Sequence, residues 1–420
     1  MNLINFGVWA RIAVASVCWA SAQAADIPFT LDAAIERAAQ TAPEMAAAEA
    51  ALDSAQSFEH SAGRLPDPEV ILGVDNLPAN GPDQFSLSRD FMTMQKVGLM
   101  QAVPAGAKRR SRSQLAAREA DAARAELRAT RFEIESAAAE AWIASATAEQ
   151  TLQRFQALRA DLSLQSTVAR AGLSSGRSNA AEALASEAAL ARLDGDILEL
   201  EQQRAMRRAE LARWVGSEAD RPLDEFPWKR ELTVPAAALI ENVVHHAPLA
   251  PVAARLEVAR SEVELARAEK RPDWSAELTY GKRGPDYSDM VSLMFRVGLP
   301  LFTRNRQNPL IAAKLASVRA EESRQDAMLR MHRAEIESTV ATWQLGRKRL
   351  QHFDAALLPL ARDRSRAVLS AYGSGRGDLR TVLDALRDEL DLQREYVALE
   401  ADVTRAWTFL TLLHPAGGQP

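Results

Sequence analysis

Between residues 274 and 280 the chain alternates strictly. Trp274, Ala276, Leu278 and Tyr280 are apolar, and Ser275, Glu277, Thr279 and Gly281 intervene. This period of two predicts a strand with one apolar face. After the polar loop Lys282 to Asp289 the alternation resumes, with Val291, Leu293, Phe295, Val297 and Leu299 against Ser292, Met294, Arg296 and Gly298. The two runs predict a hairpin whose outer face is apolar. A less regular hairpin is predicted over Glu69 to Asp75 and Phe91 to Gln101, around the loop Asn76 to Asp90, rich in Pro, Gly and Asn. Elsewhere the period is helical. Leu350, Phe353, Leu357 and Leu360, and Leu383, Leu386, Leu390 and Val397, step by threes, fours and sevens, the spacing of coiled-coil seams. Two very long helices are predicted, over about 106–171 and 305–372, with Gly346 and Pro359 interrupting the second; at 1.5 Å per residue each reaches about 100 Å. Returning helices over 178–215 and 378–413 span about half that length. Shorter helices over 43–63 and 236–270 can supply the other half, two short rods end to end beside one long one.

The same landmarks occur twice in the same order. Ala42-Pro43 answers to Ala247-Pro248, Leu65-Pro66-Asp67 to Arg271-Pro272-Asp273, Val97-Gly98-Leu99 to Val297-Gly298-Leu299, Trp142 to Trp343, and Ser175-Gly176-Arg177 to Ser374-Gly375-Arg376. The near-constant spacing predicts an internal duplication. The first repeat covers 25–220, with strands about 68–103, and the second 221–420, with strands about 273–300. Residues 1–24 are set apart as a signal peptide: Arg11, the apolar run Ile12 to Ala20, then the small-x-small cleavage pattern Ala22-Gln23-Ala24.

Composition narrows the function. The net charge is −5, and −6 once Arg11 leaves with the leader, a poor match to nucleic acid. The single cysteine, Cys18, lies inside the leader, so the mature chain is expected to form no disulfide, and Val17 is bulkier than a lipidation motif takes before its cysteine. No run beyond residue 24 approaches the roughly 20 apolar residues of a membrane helix, so any membrane insertion must use strands. Four strands cannot close a barrel, and an open edge in lipid leaves backbone groups unsatisfied. The chain is therefore expected to oligomerise through its sheet; three copies give twelve strands around a wet lumen, above a tube of helical rods.

The chain resembles the TolC outer-membrane efflux proteins, and within them the CusC and CzcC branch serving heavy-metal pumps. The carriers are Leu65-Pro66-Asp67-Pro68, the stretch Gly98 to Pro104 leading into Lys108-Arg109-Arg110, Leu299-Pro300-Leu301-Phe302 with Arg304-Asn305-Arg306, and Tyr372-Gly373-Ser374-Gly375 followed by Val382-Leu383-Asp384-Ala385. The resemblance spans the mature chain. It implies a mainly α fold with a small β part: a homotrimer with a 12-stranded transmembrane β-barrel in the Gram-negative outer membrane and an α-barrel across the periplasm. It also implies partners, a periplasmic adaptor (membrane fusion protein) docking at the helical tips and an inner-membrane resistance-nodulation-division (RND) transporter, and no catalysis and no cofactor.

The candidate residues follow from that architecture. Asp384 lies near a hairpin tip, where threefold symmetry makes a carboxylate ring that favours cations at a constriction. Its counterpart in the first repeat is Ala185, and the second acidic gate position of the family is here Thr381, so the ring would hold three charges. Asp378 is a further pore candidate and also a candidate N-cap for the returning helix, as Ser178 is in the first repeat. Ser175, Gly176 and Arg177, with Ser374, Gly375 and Arg376, are the expected adaptor-docking tips, and equally plain turn chemistry. Lys108, Arg109, Arg110 and Arg112 open a long helix, where positive charge opposes the helix dipole. With Arg304 and Arg306 they are assigned to the anionic headgroup layer of the inner leaflet. Met92, Met94, Met290 and Met294 lie in or beside the strands, as filling or as thioether ligands for soft cations, and His245-His246 reads as a hinge before Pro248. There is no clustered zinc pattern, phosphate-binding glycine loop or nucleophile elbow. The expected function is a passive exit duct for heavy-metal cations. The alternatives are a general drug, solvent or secretion duct, and a soluble periplasmic coiled-coil scaffold.

Overall fold

A computed structural model describes residues 28–174 and 180–413. The expected leader with Cys18, the first hairpin tip Ser175-Gly176-Arg177, and Ser178 lie outside them. The chain is mainly helical with one small sheet. Helix α1 (Leu31–Thr41) starts at Thr30, whose Oγ1 accepts the Ala33 amide at 3.2 Å, and α2 (Pro43–Ser61) places a proline in its first turn, where no amide partner is needed. Strands β1 (Glu69–Asp75) and β2 (Met94–Val103) lead into α3 (Gly106–Ser174), 69 residues, or about 100 Å of helix. Helix α4 (Ala180–Val215) returns along it. A connection with the short helix α5 (Ala236–Glu241) brings in the second half, in which α6 (Ala250–Ala268), β3 (Asp273–Lys282) and β4 (Met290–Gly298) repeat the order of α2, β1 and β2.

The second long helix is interrupted, as Pro359 requires. Helix α7 (Gln307–His352) passes through a π-helical turn over Phe353–Leu357 before α8 (Leu358–Gly373), with Pro359 in the first turn of α8. Proline cannot donate to the ladder, and the wider turn re-routes the Leu358 amide to the Phe353 carbonyl. Helix α9 (Leu379–Leu412) returns. Where the helices of both halves meet, a core forms around Trp142, Leu211, Ile336, Trp343, Leu350, Val397 and Trp407, and Phe29, Phe226 and Trp228 of the connecting segments close over it. Both duplicated tryptophans are in this core. A second cluster, Leu152, Phe155, Leu162, Leu193, Ile197, Val382, Leu386 and Leu390, zips the lower helices together.

The four strands form one antiparallel sheet in the order β1-β2-β3-β4. The two expected hairpins are thus joined by direct pairing of β2 with β3, and β1 and β4 are both edges. The register also refines the internal repeat. Val70 lies opposite Leu99 and Ala276 opposite Phe295. Laying Asp67 on Asp273 therefore brings Leu99 onto Phe295 and Pro104 onto Pro300. The Val97-Gly98-Leu99 and Val297-Gly298-Leu299 landmarks are out of step in the sheet, and the connection after β4 is correspondingly longer than that after β2.

Candidate membrane sheet and helical duct

The register assembles one continuous apolar face. Val70, Leu72 and Val74 of β1 lie beside Val97 and Leu99 of β2. Next come Trp274, Leu278 and Tyr280 of β3, and then Val291, Leu293, Phe295 and Val297 of β4. All of these are exposed, Leu72 at 75% and Val291 at 70%. Burial cannot be what selected them, because none of the described residues covers them. An apolar patch of this extent marks a membrane or protein contact. Strands of 7 to 10 residues approach the length that crosses a bilayer at a tilt, and no helix among the described residues is long and apolar enough to do so.

The opposite face is polar and laced with ion pairs. Lys96 Nζ reaches Asp75 at 3.1 Å and Arg296 reaches Glu277 at 2.6 Å. Met94, Met290 and Met294 also belong to this face, because they pair with Asp75, Gly281 and Glu277. Met92 precedes β2 and is exposed.

At the junction of sheet and helix the basic residues divide. Lys108 departs from the headgroup assignment: its side chain is 6% exposed, and its Nζ lies 2.7 Å from Asp273 and 3.3 Å from Glu269. The positive charge that opposes the dipole of α3 is held by two carboxylates from the second half. Arg112 joins the same group through Glu269 at 3.7 Å. Arg109 is half-buried, with its carbonyl against Gly63, whose φ is +75° and where a Cβ would lie 2.5 Å from that oxygen. Arg110, Arg304 and Arg306 are exposed at this level.

The second tip is a Schellman turn. The Gly375 amide bonds the Tyr372 carbonyl and the Arg376 amide the Ala371 carbonyl, both at 2.9 Å, with Gly375 at φ +72°. Ser374 Oγ donates to the Ala371 carbonyl and accepts from Arg376 Nε, which fixes the tip's shape and leaves Arg376 exposed. Asp378 caps α9: its carboxylate accepts the Thr381 amide at 2.9 Å and the Thr381 hydroxyl at 2.8 Å. These bonds hold its pKa below the usual carboxylate range. Asp384, six residues further along the chain, is exposed. It lines a groove between α4 and α9 together with Ala185, its counterpart in the repeat, and with Arg192, Asp196, Arg387 and Asp391. The groove carries both signs of charge, with Arg192 and Arg387 lining it as well as the three aspartates.

Sequence periodicity gave no sign of two further features. His246, buried in the turn before α6, brings Nδ1 to 3.2 Å from Nε2 of buried His332, whose Nδ1 meets Glu335 at 2.9 Å, so His246 is a packing contact. Among the described residues no cluster of His, Cys, Asp and Glu could hold a metal ion. Beside the π-helical turn, Glu400 accepts from Trp228 Nε1 at 2.8 Å, and burial pushes its carboxyl up to about 7 against the pull of its hydrogen bonds.

This arrangement of an open-edged sheet on a long helical rod recurs in solved structures. The outer membrane protein VceC from Vibrio cholerae superposes with a TM-score of 0.75 at 22% identity, covering 91% of this chain and 95% of its own. CusC, solved in a study of folding and transmembrane channel formation, gives 0.79 at 14%, with 92% of each chain covered. The Campylobacter jejuni outer membrane channel CmeC gives 0.77 at 12%, covering 91% and 85%. The chain has the TolC-type channel fold. Residues 242–414 also match the family described as outer membrane efflux protein, and this stretch runs from the turn before α6 through the second hairpin and α7–α9 of the TolC-type fold. No curated protein matches by sequence.

Proposed function

We propose that the chain is one third of a trimeric exit duct in the Gram-negative outer membrane, without enzymatic activity, through which an inner-membrane RND pump and its periplasmic adaptor expel heavy-metal cations. The observation that carries the duct is the exposed apolar face running in register across four strands of a sheet with two free edges. Lipid covers the face, and cyclic pairing of β4 with β1 of the next copy satisfies the edges. The helices then stand together as a tube, and Ser374, Gly375 and Arg376 with Ser175, Gly176 and Arg177 present the adaptor with six hairpin tips per trimer. Arg110 and Arg306 meet the inner-leaflet headgroups, with Arg304 at the same level.

Two placements support a cationic cargo. The thioethers of Met94, Met290 and Met294 share the lumen face, and thioethers are donors suited to soft cations. The Asp384 ring near the tips favours cations over anions. The test is the susceptibility of a strain lacking the protein, complemented with wild type or Asp384→Ala. The expected result is sensitivity to copper, silver, zinc, cobalt or cadmium alone, relieved by wild type and not by the variant. Sensitivity to dyes and detergents with normal metal tolerance contradicts the metal assignment and leaves a general efflux duct.

A further inference from the structure

The clamp between Asp273 and Lys108 joins strand β3 to the helix that follows its neighbour β2. Asp273 stands at the start of β3, and its carboxylate takes the Ala105 amide at 2.8 Å and Lys108 Nζ at 2.7 Å. The repeat supplies the same parts a second time. Asp67 lies two residues before β1, at the position that answers to Asp273, the first residue of β3, and the hairpin registers that lay Pro104 on Pro300 also lay Lys108 on Arg304. Within one chain these second parts cannot meet, because β1 and β4 are opposite edges of the sheet. Asp67 and Arg304 are both exposed, and among the described residues neither forms an ion pair.

We infer that Asp67 closes onto Arg304 of the next copy in the ring, repeating between chains the clamp that Asp273 and Lys108 make within one; the inference rests on the trimeric duct. The clamp is incomplete without the partner copy, which contributes the arginine. Applying the β2–β3 register to the seam places Val70 opposite Val297 of the neighbour, as Gln101 lies opposite Ala276 within the chain. Leu72 then falls opposite Phe295. This agrees with a fact not used to derive it, since these four residues are 57–75% exposed on the apolar face. A slip of one residue would turn one strand's apolar set into the lumen. Turns over residues 301–306 bond the Asn305 and Arg306 amides back to the Phe302 carbonyl. Arg304 is thereby held just short of α7, as Lys108 is held in the first turn of α3.

The test uses the full chain in its own outer membrane. Directly opposed strand residues have Cβ atoms about 4.5–5.5 Å apart, so Val70→Cys with Val297→Cys is expected to give oxidised, covalently linked oligomers on a non-reducing gel, and each single variant none. In parallel, Asp67→Lys and Arg304→Glu are each expected to lower the temperature at which the detergent-extracted assembly dissociates, and the double variant to restore it. Cross-linking with charge variants that dissociate like wild type, or a double variant that does not recover, overturns the clamp while the ring stands. An intact oligomer without the cross-link overturns the register and the clamp with it. A monomeric chain overturns the duct itself.

Discussion

Asp273 and Lys108 meet at 2.7 Å across the boundary between sheet and helix, joining residues from opposite halves of the chain. Lys108 is almost fully enclosed, and removing one partner of an enclosed pair costs more than the pair contributes, because the remaining charge has lost its counter-ion. Asp273 is about half exposed, which tempers the effect. Asp273→Ala is expected to destabilise the protein by about 2 kcal/mol. Asp273→Asn, which keeps an acceptor for the Ala105 amide, should cost about half that. Thermal unfolding of the detergent-solubilised protein followed by circular dichroism checks the order; equal melting of all three proteins contradicts it.

Gly346 allows α7 and α9 their close approach. A Cβ there would lie 2.4 Å from Val403 Cγ2, so Gly346→Ala should lower stability by about 1–3 kcal/mol, although alanine is the better helix former by about 1 kcal/mol. Val403→Ala in the same chain should recover most of the loss. Melting temperatures of the two single variants and the double variant decide it; a stabilising Gly346→Ala contradicts the packing.

Asp378 and Asp384 should separate cleanly. Asp378→Ala removes a helix cap and is expected to cost about 1 kcal/mol while leaving ion selectivity unchanged. Asp384→Ala should leave stability nearly unchanged and reduce the preference for cations. Reversal potentials in planar bilayers under a salt gradient, measured beside thermal melts, distinguish the two; a selectivity change in Asp378→Ala contradicts its role as a cap.

Glu400 gives the protein a pH dependence. Its folded pKa of about 7 lies above the ordinary value of 4.5, so between these values the folded state holds a proton that the unfolded state has released. Stability therefore falls as pH rises from about 4.5 to about 7 and is level above that, by at most about 3 kcal/mol. Glu400→Gln keeps an acceptor for Trp228 Nε1 and should flatten this slope. Denaturant melts at pH 5 and pH 8 test it; an unchanged slope in the variant contradicts the assignment.

Much of this was legible in the sequence for a definite reason. A period of two fixes which face a strand residue occupies, and Trp274 to Leu299 reads as an outward apolar face before any coordinates. Pro359 marked the break in the second long helix, and Asp378 the N-cap of the returning helix. Periodicity says nothing about neighbours, however, so the pairing of β2 with β3 was not legible. The role of Lys108 was misread for the same reason. A run of basic residues beside a membrane strand suggests lipid, and its actual partners, Glu269 and Asp273, stand in the other half of the chain. Glu400 was invisible because a lone carboxylate in a helix reads as surface until burial is known.

The most direct test of the account is outer-membrane fractionation of the wild-type protein beside Leu278→Arg. Leu278 is central on the apolar face, flanked by Leu99 and Leu293, and an arginine facing lipid near the bilayer midplane costs about 2–4 kcal/mol per copy. The account predicts wild type in the outer-membrane fraction and the variant depleted from it. Wild type in the soluble periplasmic fraction, with Leu278→Arg distributed identically, would contradict the membrane duct and favour a soluble scaffold.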